Sequence, residues 1–593
     1  MMKRHKTVGN GALSLAGIVC FLSSCHGPSF REPVPPPEHA EFVRQVPPAW
    51  THPLDTLPAV STRGMVASDA PLATRVGVQI LKEGGNAIDA SVGTAFALAV
   101  VLPAAGNIGG GGFFVARLSD GTSAALDFRE KAPHAATHGM YLDAQGRPTD
   151  RSITGHCAAG VPGSVAGLWE AHRKYGTIPW AKLVGPAIRL AADGFIVDQH
   201  FSESVREDSS RLVQFPSSAA LFLPGGRPVQ TGTLWRNPHL AATLRRIAEN
   251  GPAGFYEGET ASLIEAEMKK GGGLITKEDL LEYKPVWRPP IEFSYRDYRI
   301  ISMPPPSSGG ITLAMIANIL EGYDLRSMEW HSAGTLHLIA ESMRRAYADR
   351  NHYLGDPDFV PIPSGKLLSK DYARQRRETI RRDRATPSRE VGAVTDGEME
   401  SMHTTHFSVV DAMGNAVALT TTINLGYGSA VTVGGAGFLL NNEMDDFASK
   451  PGSPNAFGLV QGEANAIAPG KRVLSSMAPT IVLGADGKPI LVTGASGGPR
   501  IITAVFQVIS NVVDYGFDIS AAVSAPRIHH QHLPDRIVYE ENGFSSETLA
   551  ALGARGHVVA PAPHLGIAAS ILRKNGAWHG LSDPRANSLA EGE

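Results

Sequence analysis

Residues 404–422 read Thr404-Thr405-His406-Phe407-Ser408-Val409-Val410-Asp411-Ala412-Met413-Gly414-Asn415-Ala416-Val417-Ala418-Leu419-Thr420-Thr421-Thr422. Two runs rich in β-formers flank Asp411–Asn415, a turn composition. A hairpin centred on Met413 places Thr404 opposite Thr422, and a bulge would shift that pairing by one residue. Two threonine hydroxyls then meet at the open end. Upstream, residues 385–403 are poor in large apolar groups and contain Pro387, Gly392 and Gly397, so an exposed, flexible segment is expected to lead into the strand. A threonine hydroxyl is a weak nucleophile at neutral pH and needs a base beside it. The α-amino group, with a pKa of about 7.7–8.0, can serve if cutting the His403–Thr404 bond makes Thr404 a chain N-terminus. Thr422 would then orient the Thr404 hydroxyl. Threonine pairs also occur simply as ladder stabilisers, and spacing alone leaves both readings open.

Composition narrows the class. The chain has 593 residues, 43% hydrophobic and 19% charged, enough for a large core and against global disorder. Length suggests about three or four domain equivalents, a count that intertwined folds break. The 54 Lys+Arg nearly balance 57 Asp+Glu, which weighs against a nucleic-acid partner. Three cysteines cannot build a disulfide scaffold.

Lys3, Arg4 and Lys6 precede an apolar run over 12–22 that is too short to span a bilayer and fits a secretory signal. Leu22-Ser23-Ser24-Cys25 resembles the lipobox of bacterial lipoproteins. That resemblance implies removal of residues 1–24, lipidation of Cys25 and a periplasmic, membrane-anchored protein; an ordinary signal peptide with an incidental cysteine is the alternative. Residues 25–64, with seven prolines between 33 and 53, read as a tether, and compact order is expected from Met65. Cys157 reads as a lone buried thiol. Asp69 is expected to cap a helix with Pro71 in its first turn, and Asn86 to cap Ala87–Val101. Helical periodicity recurs at 180–193, 238–249 and 332–351. The arginine-rich run 374–384 reads as a solvated helix face.

The threonine-led hairpin resembles the start of the small subunit of the γ-glutamyltranspeptidases, also called glutathione hydrolases. The resemblance runs from Met65 to the C-terminus. Gly106-Asn107-Ile108 with Gly109–Gly112, Asp127-Phe128-Arg129-Glu130, Asn441-Asn442-Glu443-Met444-Asp445-Asp446-Phe447, Leu474-Ser475-Ser476-Met477 and Gly494-Ala495-Ser496-Gly497-Gly498 carry it. It implies an α/β (α+β) fold, the four-layer αββα sandwich of N-terminal nucleophile hydrolases. The proenzyme would cleave itself between His403 and Thr404 into a large subunit (65–403) and a small one (404–593) that stay together as a heterodimer. Substrates would be glutathione and other γ-glutamyl compounds, with water or an amino acid or dipeptide as acceptor. Arg129, Ser475 and Ser476 would take the substrate α-carboxylate, a geometry that suits a guanidinium fork. Glu443 and Asp446 would take the α-ammonium with Asn424, and backbone N–H groups of Gly497 and Gly498 would hold the oxyanion. No cofactor and no metal are expected. Pro451–Ala464 resembles the family's lid loop, with Phe457 where several bacterial relatives have tyrosine. Phe457 has no hydroxyl to offer near Asn424, so weaker closure favouring water is expected.

Other motifs compete. Gly494–Gly498 also satisfies G-x-S-x-G, with Ser496 as nucleophile and Asp518 and His529 or His530 following in triad order. His529, His530 and His532 invite a metal reading, although neighbouring histidines in an extended segment face opposite ways and a polar structural cluster is preferred. Gly109–Gly112 lacks the Gly-Lys-Ser/Thr ending of a phosphate loop and reads as close backbone packing. A related amidase or acylase on other substrates is the broader alternative, and a lipid-anchored solute-binding protein the non-enzymatic one.

Overall fold

The computed structural model describes residues 46–392 and 404–593; the signal segment, Cys25 and His403 lie outside them. The hairpin forms in the expected register. Thr404–Val410 pairs antiparallel with Ala416–Thr422, from Thr404 against Thr422 to Val410 against Ala416, with no bulge. Asp411 closes the turn by accepting from the backbone N–H of Met413 and of Asn415, each at 2.9 Å, while Gly414 takes the left-handed conformation at φ +89°.

This hairpin lies at the centre of a seven-stranded sheet ordered Leu589–Gly592, Met65–Ser68, Thr404–Val410, Ala416–Thr422, Gly111–Arg117, Ser123–Phe128 and Val286–Arg288. A second sheet runs Ala59–Ser61, Ala577–Ser582, Ile567–Lys574, Pro489–Thr493, Thr480–Leu483, Tyr298–Ser302 and Ile291–Tyr295, with Ala495–Ser496 pairing alongside Ile567–Lys574. Strand alternation separates two cores. Phe113, Val115, Ala416, Ala418 and Val410 point toward the second sheet's Ile301, Ile481, Val492 and Ile571. Phe114, Ala116, Phe407, Val409, Val417 and Leu419 point the other way, into helices Pro71–Lys82, Ala87–Val101 and Trp180–Asp193. Helices Gly309–Leu320 and Arg500–Val513 cover the far side of the second sheet. The result is the αββα sandwich. Both sheets interleave strands from before and after residue 403, so neither side of that bond owns a complete core.

Several local expectations hold. Asn86 forms a capping box with Asp89 at the head of Ala87–Val101, and the periodic segments fold as Trp180–Asp193, Pro238–Asn250 and Ala333–Tyr353. Others are corrected. Asp69 does not cap the 71–82 helix; Ala70 stands at that position without a side-chain bond, and Asp69 instead accepts from Thr405 Oγ1 at 2.9 Å. The tether ends before Met65, because Leu54 is buried and Ala59–Ser61 adds an edge strand. Within the segment expected to be exposed, Thr386 and Ser388 are buried. The arginine run is mostly solvated, although Arg376 turns in to Asp349. Cys157 is half-buried with its Sγ 3.1 Å from Gly272 O.

Candidate active site

Thr404 opens its strand with its side chain on the face between the sheets, and its hydroxyl lies 3.4 Å from the Thr422 hydroxyl. Thr422 Oγ1 in turn accepts from the backbone N–H of Asn424 at 2.7 Å. Asn424 sits at φ +78° and donates its side-chain amide to Asn442 O at 3.0 Å. That turn is braced by close backbone approach. Asn441 bonds Gly109 O at 2.9 Å, and a Cβ on Gly109 or Gly110 would come within 2.1 Å of Leu439 O or Thr422 O. The glycine run therefore serves tight packing under the site.

Arg129 leaves the end of strand Ser123–Phe128 and is 1% exposed. Its Nη2 lies 2.7 Å from Glu443 Oε2 and 2.8 Å from Asp446 Oδ2, and its Nη1 lies 3.3 Å from Glu130 Oε2. One guanidinium thus faces three carboxyl groups, Glu130 and Glu443 fully buried and Asp446 at the cavity's edge with its side chain 14% exposed. Burial disfavours their charged forms more than Arg129 favours them. Glu443 is pushed up to about 8 and Glu130 to about 7, while Asp446 rises well above the usual carboxylate range, with the charge of Glu443 adding to burial. Glu443 Oε1 has no hydrogen-bond partner among the described residues. The cluster is short of positive charge, which an added ammonium would supply.

Ser475 and Ser476 follow Leu474 on the opposite wall. Ser475 Oγ accepts from Met477 N at 3.1 Å, and Ser476 Oγ accepts from Arg350 Nη2 at 3.0 Å. Arg350 is a residue that sequence reasoning missed. It projects from the Ala333–Tyr353 helix, is 1% exposed and is also held by Ser308. An arginine on a periodic helix reads as solvated, and only packing turns it inward. Gly497 and Gly498 take φ of +127° and +55° just before the Arg500–Val513 helix, and no acceptor is found for either N–H among the described residues. Successive N–H groups in such a turn form an anion-binding concavity.

A narrow cavity, with about 20 Å³ open to a water-sized sphere, joins these parts. Arg129, Thr404, Thr422, Asn424, Glu443, Asp446, Ser475, Ser476 and Gly498 all line it, together with Arg350, Phe457 and Gln461. Gly497, its neighbour in the same turn, is not among the residues that line it. Phe457 covers the cavity from the Pro451–Ala464 loop, which Asn455 ties down by accepting from Phe457 N and Leu459 N, each at 3.1 Å.

The competing constellations separate. Asp518 caps helix Ile519–Ser524, while His529 bonds Thr503 and Gln531, so no triad assembles on Ser496. His530 meets Arg344, and His532 meets Ser388. Three other residues, His337, Glu341 and His557, approach one another within 4.8 Å. Glu341 is already paired with Arg344 and Arg345, whose two charges oppose a cation there.

The γ-glutamyltranspeptidase family model matches residues 73–592. The glutathione hydrolase proenzyme of Escherichia coli (strain K12) is 48% identical over 532 residues, covering 89% of this chain and 91% of that protein. The solved cephalosporin acylase from Bacillus halodurans superposes with a TM-score of 0.80 at 29% identity, covering 92% and 99% of the two chains. The Helicobacter pylori γ-glutamyltranspeptidase matches with a TM-score of 0.54 at 49% identity, over 55% of this chain and 93% of that one.

Proposed function

The chain belongs to the γ-glutamyltranspeptidase family, and we propose that its self-cleavage and its γ-glutamyl transfer are both the work of Thr404. The protein is a glutathione hydrolase and γ-glutamyltransferase made as a proenzyme. In maturation, the Thr404 hydroxyl attacks the His403 carbonyl carbon and the peptide C–N bond breaks. Water then hydrolyses the resulting ester. A carboxylate at His403 and a free α-amine on Thr404 remain, and the two chains stay associated as a heterodimer.

The α-amine then takes the hydroxyl proton as Oγ1 attacks the γ-carbonyl of glutathione, with Thr422 orienting the hydroxyl. Arg129 with Ser475 and Ser476 receives the α-carboxylate, displacing Arg129 from part of its own carboxylate cluster. Glu443, Asp446 and Asn424 receive the α-ammonium. Gly497 and Gly498 N–H groups stabilise the tetrahedral oxyanion, each worth roughly 3–4 kcal/mol of barrier. The amine proton passes to the departing cysteinylglycine. Water, or the amine of an amino acid or dipeptide, then attacks the γ-glutamyl ester.

The observation that carries this reading is one cavity shared by a strand-leading Thr404 and a buried cluster of both charge signs. Intact mass and denaturing gels of wild type and Thr404→Ala test it. Two fragments, the smaller beginning at Thr404, are expected from wild type and one chain from the variant. An uncut, active wild type would overturn it. The likeness to a cephalosporin acylase supports a second reading, amide hydrolysis without a glutamyl head. A γ-glutamyl anilide and its analogue lacking the α-amino group separate the two, since Glu443 and Asp446 have work only with the former.

Residues 1–24 are read as a removable signal and Cys25 as a lipid anchor holding the body at the periplasmic membrane face. Among the described residues no helix is long and apolar enough to cross a membrane. Metabolic labelling with a radioactive fatty acid, lost in Cys25→Ser, tests that reading.

A further inference from the structure

Asp69 is a buried carboxyl group beside the head of the Thr404 strand, and the reaction above gives it no task. It directly follows strand Met65–Ser68, whose ladder with Thr404–Val410 ends at Ser68 against Phe407. Ahead of Phe407 that edge of the strand has no ladder partner, and Asp69 fills the place. Its Oδ2 accepts from Thr405 Oγ1 at 2.9 Å, and the backbone N–H of His406 approaches the same carboxyl group. Its Oδ1 is buried and meets no partner among the described residues. In an antiparallel strand, backbone N–H groups two positions apart point to the same side. The Thr404 N–H therefore points to the side on which Asp69 meets that of His406. The opposite strand agrees, because Thr422 O turns away from Thr404 to accept from Asn107 Nδ2 at 2.9 Å. No acceptor for the Thr404 N–H is found among the described residues. A donor and an acceptor, both without partners, thus stand at one strand end, with Thr405 between them.

We propose that Asp69 is a positioning residue for the Thr404 α-amine, the group that self-cleavage creates. Oδ1 accepts one N–H of that amine and so turns its lone pair toward the Thr404 hydroxyl, whose proton it takes. The inference rests on the reading of Thr404 as the self-cleaving nucleophile. Before cleavage the nitrogen belongs to a planar amide, which has no basic lone pair to give. Cutting the bond frees it to rotate about Cα and adds hydrogens that need acceptors. Burial pushes Asp69 up to about 7, against the pull of Thr405 and His406, and the charge of Asp583 adds to burial. His406, held neutral by burial, turns its ring away to Thr420 and Ser408. An ammonium beside Asp69 supplies the charge that this buried carboxyl group lacks. Asp69 does not line the cavity that holds Thr404, so it acts through the amine and not on the substrate.

The test compares wild type, Asp69→Asn and Thr404→Ala, each made as the full-length chain. Asparagine keeps an oxygen for Thr405 and His406 and puts an NH2, which is a donor, where Oδ1 stood. On denaturing gels the two fragments of Asp69→Asn are expected to appear within about twofold of the wild-type rate, because the amine does not exist before the cut. The cleaved variant is expected to hydrolyse a γ-glutamyl anilide with kcat lower by about tenfold or more and KM within about twofold. The acid limb of its kcat profile should move to lower pH by about one unit, since a carboxylate beside an amine favours the ammonium. Should Asp69→Asn fail to fold, Thr405→Val carries the same comparison: it removes one of the two donors that aim the carboxyl group, and kcat should fall about threefold to tenfold. Unchanged kcat and pH profile, a change in KM alone, or equal losses in cleavage and in turnover overturn the proposal and leave Asp69 a support for the strand end. A wild type that is never cut before Thr404 instead defeats the underlying reading of the nucleophile.

Discussion

Glu443 is 1% exposed, has an unpartnered Oε1 and lies 2.7 Å from Arg129. Its carboxyl is raised from 4.5 to about 8 by burial, ahead of the opposing pull of Arg129. A raised acid stabilises the fold most when protonated, so that stability is complete below pH 4.5 and is lost as pH rises through about 8. A ligand bringing an ammonium reverses the preference and drives the proton off. Binding of a γ-glutamyl ligand at pH 7 is therefore expected to release protons, measurable by calorimetry in two buffers of different ionisation enthalpy. Glu443→Gln should diminish that release, and an unchanged proton count would remove Glu443 from ammonium binding. Thr422 makes a second case at this scale. Thr422→Val keeps the strand shape but strips the acceptor from Asn424 N–H and from the Thr404 hydroxyl. Leaving a buried donor unsatisfied costs about 1–3 kcal/mol, so kcat should fall roughly tenfold or more. Unaltered kcat would mean that Thr422 only supports the ladder.

Elements decide how those residues are presented. The turn at Gly497 and Gly498 needs positive φ at both positions, and a Cβ on Gly497 would come within 3.0 Å of Gly566 Cα. Gly498→Ala meets an added strain of roughly 1–2 kcal/mol in the left-handed region and re-aims the N–H groups. A fall in kcat of about 10²–10³ with a small change in KM is the expected signature of a disturbed oxyanion site. A KM effect alone would mean the turn only binds. The lid presents Phe457 over the cavity, 4% exposed and lacking a hydroxyl. Phe457→Tyr is expected to raise transfer to a dipeptide relative to hydrolysis, read from product ratios with and without acceptor. An unchanged ratio would show that closure does not depend on that hydroxyl. The Asn86 capping box belongs to the same scale: it was legible because a cap acts over three residues, whereas Asp69 was misread because its partner, Thr405, is remote in sequence.

At the scale of the whole molecule, the sheets are shared property. Met65–Ser68 lies between Leu589–Gly592 and Thr404–Val410, and Tyr298–Ser302 pairs with Thr480–Leu483. A chain cut before Thr404 therefore keeps its fragments joined by ladder hydrogen bonds and by both cores. The cleaved protein is expected to unfold in one calorimetric transition, and residues 404–593 expressed alone should not fold. Two separate transitions would contradict the shared-core account.

By itself the sequence determined what is local or periodic: the hairpin register that sets Thr404 against Thr422, the Asn86 cap, the long helices, and through its ordered motifs the family and its layered sandwich. Register follows from a turn composition and a two-residue period, and both act over a few positions. Only the tertiary structure decided which charges meet. Arg129 turns to Glu443 and Asp446 more than 300 positions away, Arg350 leaves the solvated face its helix pattern suggests, and Ser388 is gripped by Asp535. Such contacts depend on how layers stack, because the energy of a buried charge is set by its neighbours in space and not by its neighbours in the chain.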